Sequence, residues 1–149
     1  MPSTACYVAG FAKTTINHGK GFLGGYWGRS QCTGIHDNLY CTATYVYQTT
    51  LELDGSNNTS TIKTSYEDHP IILISLDLVG TSVPFAKQCQ NEIAQALNWP
   101  TNSTCRERII ISCTHTHTGP QTNSYFIGMG HASDAYMSHL IKNAILFYL

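Results

Sequence analysis

Charged side chains are scarce in this chain of 149 residues. Only 11% of the residues are Asp, Glu, Lys or Arg, against about 25% in an average soluble protein, and the formal net charge is −1. No stretch concentrates lysine and arginine, so nothing in the composition favours a nucleic acid as a partner. The polarity of the chain comes instead from threonine, serine, asparagine, glutamine and tyrosine.

Long apolar runs and closely paired cysteines are also missing. No segment reaches the roughly 20 apolar residues of a membrane-spanning helix, and the N-terminus lacks the basic and apolar regions of a signal peptide. The six cysteines form no CxxC pair, which argues against a zinc ribbon or a thioredoxin-type site and leaves their disulfide state open. Glycosylation sequons in 57–60 and 102–104 would be usable in a secretory compartment, so the localisation stays open.

The apolar pattern predicts an α/β fold with a mixed sheet. Residues 6–16 and 39–53 have the β-branched and aromatic composition of long strands and predict a long N-terminal hairpin. The polar stretch 54–69 predicts a turn or a further hairpin. Residues 70–80 and 106–116 are continuous apolar runs, which we interpret as strands buried on both faces of the sheet.

Two helices are predicted beside these strands. Ser82 can cap a helix whose apolar residues recur at helical spacing from Phe85 to Leu97, and this helix joins the two apolar strands in a right-handed βαβ unit. A second helix begins after Ser133, and its pattern runs to the end of the sequence without a C-terminal cap. The pattern therefore predicts that residues 1–149 form part of a larger domain.

The stretch 113–120, CTHTHTGP, is the strongest candidate for a functional site. It directly follows an apolar strand, and ligand sites in α/β sheets gather at the carboxyl ends of strands. On an extended backbone His115 and His117 would point to the same side, where two imidazoles can bind or flank one zinc ion. The neighbouring threonine hydroxyls are candidates to orient the second ring nitrogens. The alternative is that both histidines are ordinary polar residues at a strand end.

Two other strand ends are expected to lie near this stretch. Asp77 follows the run IILISL, and it is predicted either to take part in the site or to cap the next helix. His36, in GIHD, is a candidate pocket residue, whereas Asp37 is predicted to serve a turn. The remaining histidines without a partner pattern are interpreted as surface residues: His18, His69 and His139.

Five stretches together resemble the neutral/alkaline non-lysosomal ceramidases in order and spacing. They are GFAKTTI (10–16), LGGY (23–26), GIHDNLY (34–40), ISLDLVG (74–80) and CTHTHTGP (113–120). The last stretch corresponds to His-Thr-His-Ser-Gly-Pro in that family, with Thr118 in place of the serine. After Ile16 the family commonly has a Thr-Pro or Thr-Gly element, whereas this chain continues Asn-His-Gly. The resemblance covers nearly the whole chain but only the opening part of the family's catalytic domain.

The resemblance implies an enzyme that uses one zinc ion to hydrolyse the amide of ceramide to sphingosine and a fatty acid. His115 matches a zinc ligand, while His117 and His36 match residues of the active site and are assigned as catalytic. Zinc lowers the pKa of a bound water toward ~7 and polarises the carbonyl, and a nearby histidine can pass a proton to the leaving amine. A lipid substrate such as ceramide or another N-acyl lipid also implies contact with a membrane surface. The family is typically secreted, lumenal or located at the cell surface.

The resemblance leaves alternatives open. The family's other zinc ligands (a later His, a Glu and a Tyr) and its substrate-contacting serine lie downstream of these stretches, so we predict that this chain alone is inactive. A hydrolase of the same fold that cleaves another amide or an ester would carry the same stretches. A truncated, non-catalytic product that binds a lipid or a partner is a further alternative. A metallo-β-lactamase site is disfavoured, because it expects an aspartate where this chain has Gly119.

Overall fold

Seven segments of the chain are described by a computed structural model: 3–18, 21–26, 30–53, 60–63, 70–100, 103–122 and 133–145. The strands in these segments are β1 (Ser3–Thr15), β2 (Tyr40–Leu53), β3 (Ser60–Lys63), β4 (Ile71–Leu76) and β5 (Ile109–Cys113). The helices there are α1 (Val83–Ala96), α2 (Ser103–Arg106) and α3 (Asp134–Ile145). None of these helices combines the length and the apolar character that crossing a membrane requires.

The strands form one mixed sheet in the order β1-β2-β4-β5, with β3 paired to β2. β1 runs antiparallel to β2 from the pair Ser3–Glu52 to the pair Thr15–Tyr40, which confirms the predicted N-terminal hairpin. β4 is antiparallel to β2 and parallel to β5. A parallel pair needs a crossover connection, and α1 and α2 provide it, so the predicted βαβ unit is present. The fold class is α/β, as predicted.

The predicted second hairpin in 54–69 is present as β3, which pairs antiparallel with β2. The residues on either side of β3 in that stretch, His69 among them, lie outside the described part of the chain.

Helix α1 begins where the sequence predicts. Ser82 has an extended backbone, and its Oγ accepts a hydrogen bond from Phe85 N at 3.2 Å. Pro84 lies in the first turn, where the missing N–H would have no intrahelical partner in any case. The side chains that this helix buries recur at helical spacing: Phe85, Cys89, Ile93 and Ala94. The predicted cap of α3 is also present, because Ser133 Oγ accepts from Tyr136 N at 3.4 Å.

One face of the sheet is buried and the other is open among the described residues, which corrects the prediction of strands buried on both faces. In β4, Ile72 and Ile74 are 0% and 1% exposed, whereas Leu73 between them is 42% exposed. In β5, Ile109 is buried and Ile110 is 50% exposed. The physical reason is that the buried apolar side chains of α1 and α3 join the core on the face of Ile72 and Ile74, so no described helix covers the opposite face.

The six cysteines are all free thiols. Cys41 of β2 and Cys89 of α1 lie in the core, and burial raises the pKa of each to about 12. Cys113 is half-buried at the end of β5, and burial raises its pKa as well. These three thiols are therefore protonated at neutral pH and contribute to packing.

Candidate functional site

The backbone of the HTH stretch turns at His115 rather than continuing as an extended strand. β5 ends at Cys113, and the N–H groups of Thr114 and His115 then donate to the carbonyls of Leu76 and Leu78. His115 has a φ of 65°, in the left-handed region that residues with a Cβ rarely adopt. The prediction that an extended backbone aligns the two histidines is therefore wrong. Backbone strain of this kind is concentrated at functional sites.

The rings of His115 and His117 nevertheless meet. Their centroids are 5.1 Å apart, and the rings are nearly perpendicular, with an interplanar angle of 71°. His115 is exposed and His117 is half-buried. The predicted pairing of the two imidazoles is therefore present, although a turn produces it.

A backbone carbonyl orients the ring of His115. Its Nδ1 lies 2.8 Å from Val79 O, and because a carbonyl can only accept, Nδ1 carries the proton. In the neutral ring Nε2 then has the lone pair with which histidine binds a metal. The threonines do not orient this ring as predicted, because Thr116 Oγ1 and Thr118 Oγ1 bond to each other at 2.9 Å.

The LGGY stretch packs directly against His117. Gly25 has a φ of 82°, and a Cβ built on it would lie 2.6 Å from His117 Nδ1. The ring of Tyr26 meets the His117 ring edge-on, with centroids 5.7 Å apart. Backbone hydrogen bonds hold the stretch in place, since Gly24 N donates to Gly119 O at 2.8 Å. Sequence reasoning missed this contact, and the consecutive glycines were the available signal for a close backbone approach.

Asp77 ties the end of β4 to the start of β2. Its Oδ2 accepts from Tyr40 N at 2.9 Å, and its own N–H donates to Tyr40 O at 2.9 Å. The alternative that Asp77 caps the next helix is wrong, because Ser82 holds that position. Asp77 instead fixes the backbone just ahead of Leu78 and Val79, whose carbonyls bind His115.

A pocket of about 320 Å³ lies beside the HTH stretch. Its wall includes Thr118 and Pro120, the residues that follow the histidine pair, and the facing segment 21–23. His36 lines the pocket as predicted, although its side chain is 96% exposed. The other lining residues are Asn17, His18, Gln31, Cys32, Thr33, Gly34, Ile35, Asp37 and Leu39. The pocket therefore borders the residues that follow the histidine pair, but neither His115 nor His117 lines it.

His18 and His139 differ in how they fit the prediction of surface residues. His139 is exposed, as predicted, and its Nε2 lies 3.0 Å from Asn143 Nδ2 one helical turn away. His18 is half-buried, lines the pocket and stacks on Tyr136, so the prediction is wrong for this residue.

Asp37 raises the pKa of His36 through a hydrogen bond and then through its charge, with Nδ1 and Oδ2 2.8 Å apart. The folded chain favours protonated His36. The ion pair therefore stabilises the fold below the ordinary histidine pKa, and this stabilisation is lost as the pH rises through the raised pKa of His36. We expect Asp37→Asn to return the pKa of His36 toward ~6.5. An NMR titration of the His36 ring measures the change.

The matched control for that titration is Glu107→Gln, since Glu107 precedes β5 at the end of the strand opposite to the HTH stretch. It should leave the pKa of His36 unchanged. An unchanged pKa in Asp37→Asn would show that the ion pair does not form in solution.

The donor set for a metal is partial among the described residues. His115 fits a metal ligand through its free Nε2, and His117 lies beside it. No group of three or more His, Cys, Asp or Glu side chains that could hold a metal ion occurs within the seven described segments. A catalytic zinc ion takes about three protein ligands, so the described segments alone do not complete such a set.

Comparison with known proteins places this geometry in a known fold. No family model matches the sequence, and no curated protein matches it. Among solved structures, a match is the crystal structure of neutral ceramidase from Pseudomonas aeruginosa, with a TM-score of 0.65 and 14% sequence identity. The chain has the fold of part of a neutral ceramidase. The match covers 94% of this chain and 20% of the ceramidase chain, so it spans about a fifth of that enzyme.

Proposed function

We propose that this chain provides part of the active site of a zinc-dependent hydrolase that cleaves the N-acyl amide of ceramide to sphingosine and a fatty acid. The observation that carries the proposal is the ring of His115, whose Nδ1 is bound to Val79 O and whose Nε2 is left for a metal. The structural likeness to a neutral ceramidase and the resemblance of the HTHTGP stretch support the same proposal.

Three histidines have separate roles in this proposal. His115 binds the zinc ion through Nε2, and zinc when bound supplies Lewis acidity to the amide carbonyl. His117, with its ring 5.1 Å from that of His115, exchanges a proton with the leaving nitrogen, because an amide nitrogen leaves poorly unless it is protonated. His36, whose pKa Asp37 raises, donates a hydrogen bond to the substrate in the pocket.

The lining of the pocket supports this substrate class. The pocket is lined by polar side chains and by the apolar side chains of Phe22, Leu23, Ile35 and Leu39. This mixed lining suits a lipid with a polar head. A volume near 320 Å³ is at the lower end for a ligand pocket, so it takes only part of a lipid with two long chains. The rest of the lipid would stay in contact with a membrane surface or with other parts of the enzyme.

The test is His115→Ala in the complete gene product that contains this chain. Zinc content is measured by elemental analysis, and hydrolysis is measured with a fluorescent N-acyl sphingosine. We expect bound zinc to be lost and hydrolysis to fall about 100-fold or more, because metal catalysis is worth several kcal/mol. His139→Ala is the matched control, since it removes an exposed histidine of α3 and should change neither measurement.

The other outcomes separate the alternatives. Hydrolysis of water-soluble amides or esters but not of ceramide would replace the substrate and keep the fold and the metal site. Lipid binding without zinc and without hydrolysis would support a non-catalytic product. Full zinc content in His115→Ala would remove the metal role of this residue.

A further inference from the structure

His18 is held rigidly on the wall of the pocket. Its ring stacks on the ring of Tyr136, with centroids 4.7 Å apart and an interplanar angle of 25°. Gly21 lies along the edge of the His18 ring, since a Cβ built on Gly21 would lie 3.6 Å from His18 Cδ2. A stacked ring of this kind loses little entropy on binding a ligand, because its position is already restricted.

Tyr136 is itself fixed in two ways. It is 1% exposed in the core, and its hydroxyl donates to Ile16 O at 2.8 Å. Burial raises the pKa of Tyr136, so the hydroxyl keeps its proton and remains a donor. One side chain of α3 therefore anchors the backbone two residues before His18 and also supports the His18 ring.

The ring nitrogens of His18 differ from those of three other described histidines. His36 is bonded to Asp37, His115 to Val79 O and His139 to Asn143. For His18, the contacts with described residues are ring contacts and involve no hydrogen bond to either nitrogen. An imidazole on a pocket wall in this state can donate to or accept from a ligand.

The charges of the pocket select the kind of ligand. Among the described residues that line the pocket there is no lysine or arginine, and Asp37 contributes a carboxylate. An anionic head such as a phosphate would therefore meet the Asp37 carboxylate, whose charge only His36 offsets among these residues. A neutral head with hydroxyl groups avoids this cost and can still hydrogen-bond to an imidazole.

We infer that His18 is a further substrate-binding residue, which hydrogen-bonds a hydroxyl group on the neutral polar head of the N-acyl lipid. The inference rests on the proposed function, because it takes its substrate from there. It also concerns the stretch after Ile16 where this chain departs from the ceramidase pattern. His18 would therefore make the chain selective for a hydroxylated head over a deoxygenated one.

The test is His18→Phe in the complete gene product. Phenylalanine keeps the stacking on Tyr136 and removes both ring nitrogens. Binding of a short-chain ceramide and of its analogue without the terminal hydroxyl is measured by calorimetry on chelator-treated protein, so that turnover is not needed. We expect ceramide to bind about three- to tenfold more weakly, the effect of one neutral hydrogen bond, and the analogue to bind unchanged.

Further variants control for loss of structure. His18→Gln retains a donor and an acceptor and should keep part of the preference for the hydroxylated lipid. His139→Phe changes a histidine that also stacks on Tyr136, at 6.3 Å, but does not line the pocket, and it should have no effect. Kinetics should show a raised KM with kcat unchanged, because the contact binds the substrate equally in the ground state and in the transition state.

The binding result stands apart from the proposed reaction. Selective loss of ceramide binding in His18→Phe without any ceramide hydrolysis by the wild type would support His18 and overturn the proposed function. Equal binding of both lipids by wild type and variant, or equal loss of both, would overturn the role of His18.

Discussion

Replacing Gly25 by alanine is expected to lower the proposed hydrolysis about 100-fold while leaving zinc at the proposed metal site nearly unchanged. The added Cβ would lie 2.6, 2.7 and 2.9 Å from three atoms of the His117 ring. Contacts that short do not occur between carbon and ring atoms, so either the ring or the loop must move. The φ of 82° adds strain of about 1–3 kcal/mol for a residue with a Cβ.

The effect should fall on His117 rather than on His115. His115 is held by Val79 O and by the N–H bond to Leu78 O, and Gly25 touches neither contact. His117 depends on the loop, because Tyr26 meets its ring edge-on and Gly25 lies against it. A displacement near 1 Å at a group proposed to transfer a proton is enough for a loss of that size.

The control is Gly10→Ala in β1, where an added Cβ meets no atom within 4 Å. It should leave hydrolysis and zinc content at wild-type values. The double variant Gly25→Ala/His117→Ala separates the mechanism from a general loss of structure. If Gly25 acts through His117, the double variant is no worse than His117→Ala alone. Additive losses would show that Gly25 acts elsewhere, for instance on the fold of the loop.

The elements of this fold could be predicted because each is encoded locally. Ser82, Pro84 and the apolar residues of α1 are close in sequence, and their spacing predicts a helix whatever packs against it. The exposure of the sheet faces could not be predicted in the same way. The run IILISL has apolar residues at nearly every position, so it indicates a strand without indicating which face the helices will cover.

The site shows the same division between local and distant information. His115 and His117 could be paired from the sequence because they are two residues apart and follow a strand. The contacts that fix them come from other elements, namely Val79 at the end of β4 and Gly25 in a loop. The sequence around His18 predicts a surface residue, because the contact that buries its ring comes from Tyr136. Tyr136 also bonds to Ile16, which lies 120 positions away in the sequence. No periodicity within either segment reports such a contact.

On the open face of the sheet, a continuous row of paired residues crosses four strands. Phe11 of β1 pairs with Thr44, Thr44 with Leu73 of β4, and Leu73 with Ile110 of β5. Phe11, Leu73 and Ile110 are 80%, 42% and 50% exposed, so this row contributes little burial to the folded chain. In β2, β4 and β5 a neighbour one position along the strand lies in the core instead, namely Ala43, Ile72 and Ile109.

Adjacent residues of β4 should therefore respond very differently to the same truncation. Ile74→Ala is expected to lower the free energy of unfolding by about 2–5 kcal/mol, because Ile74 is 1% exposed and its loss leaves a cavity between the sheet and the helices. Leu73→Ala is expected to cost less than about 1 kcal/mol, because much of the side chain is already in water. Urea titration measures both through the midpoint at constant slope.

Leu73→Ala is also the control for Ile74→Ala, because both variants place alanine in the same strand and so share any loss of strand propensity. A large loss in Ile74→Ala with a small loss in Leu73→Ala would support a core on one face only. Similar large losses would mean that the open face is covered in solution, by self-association or by residues beyond the described segments. Repeating the titration at several protein concentrations distinguishes these two causes, because only self-association makes the midpoint depend on concentration.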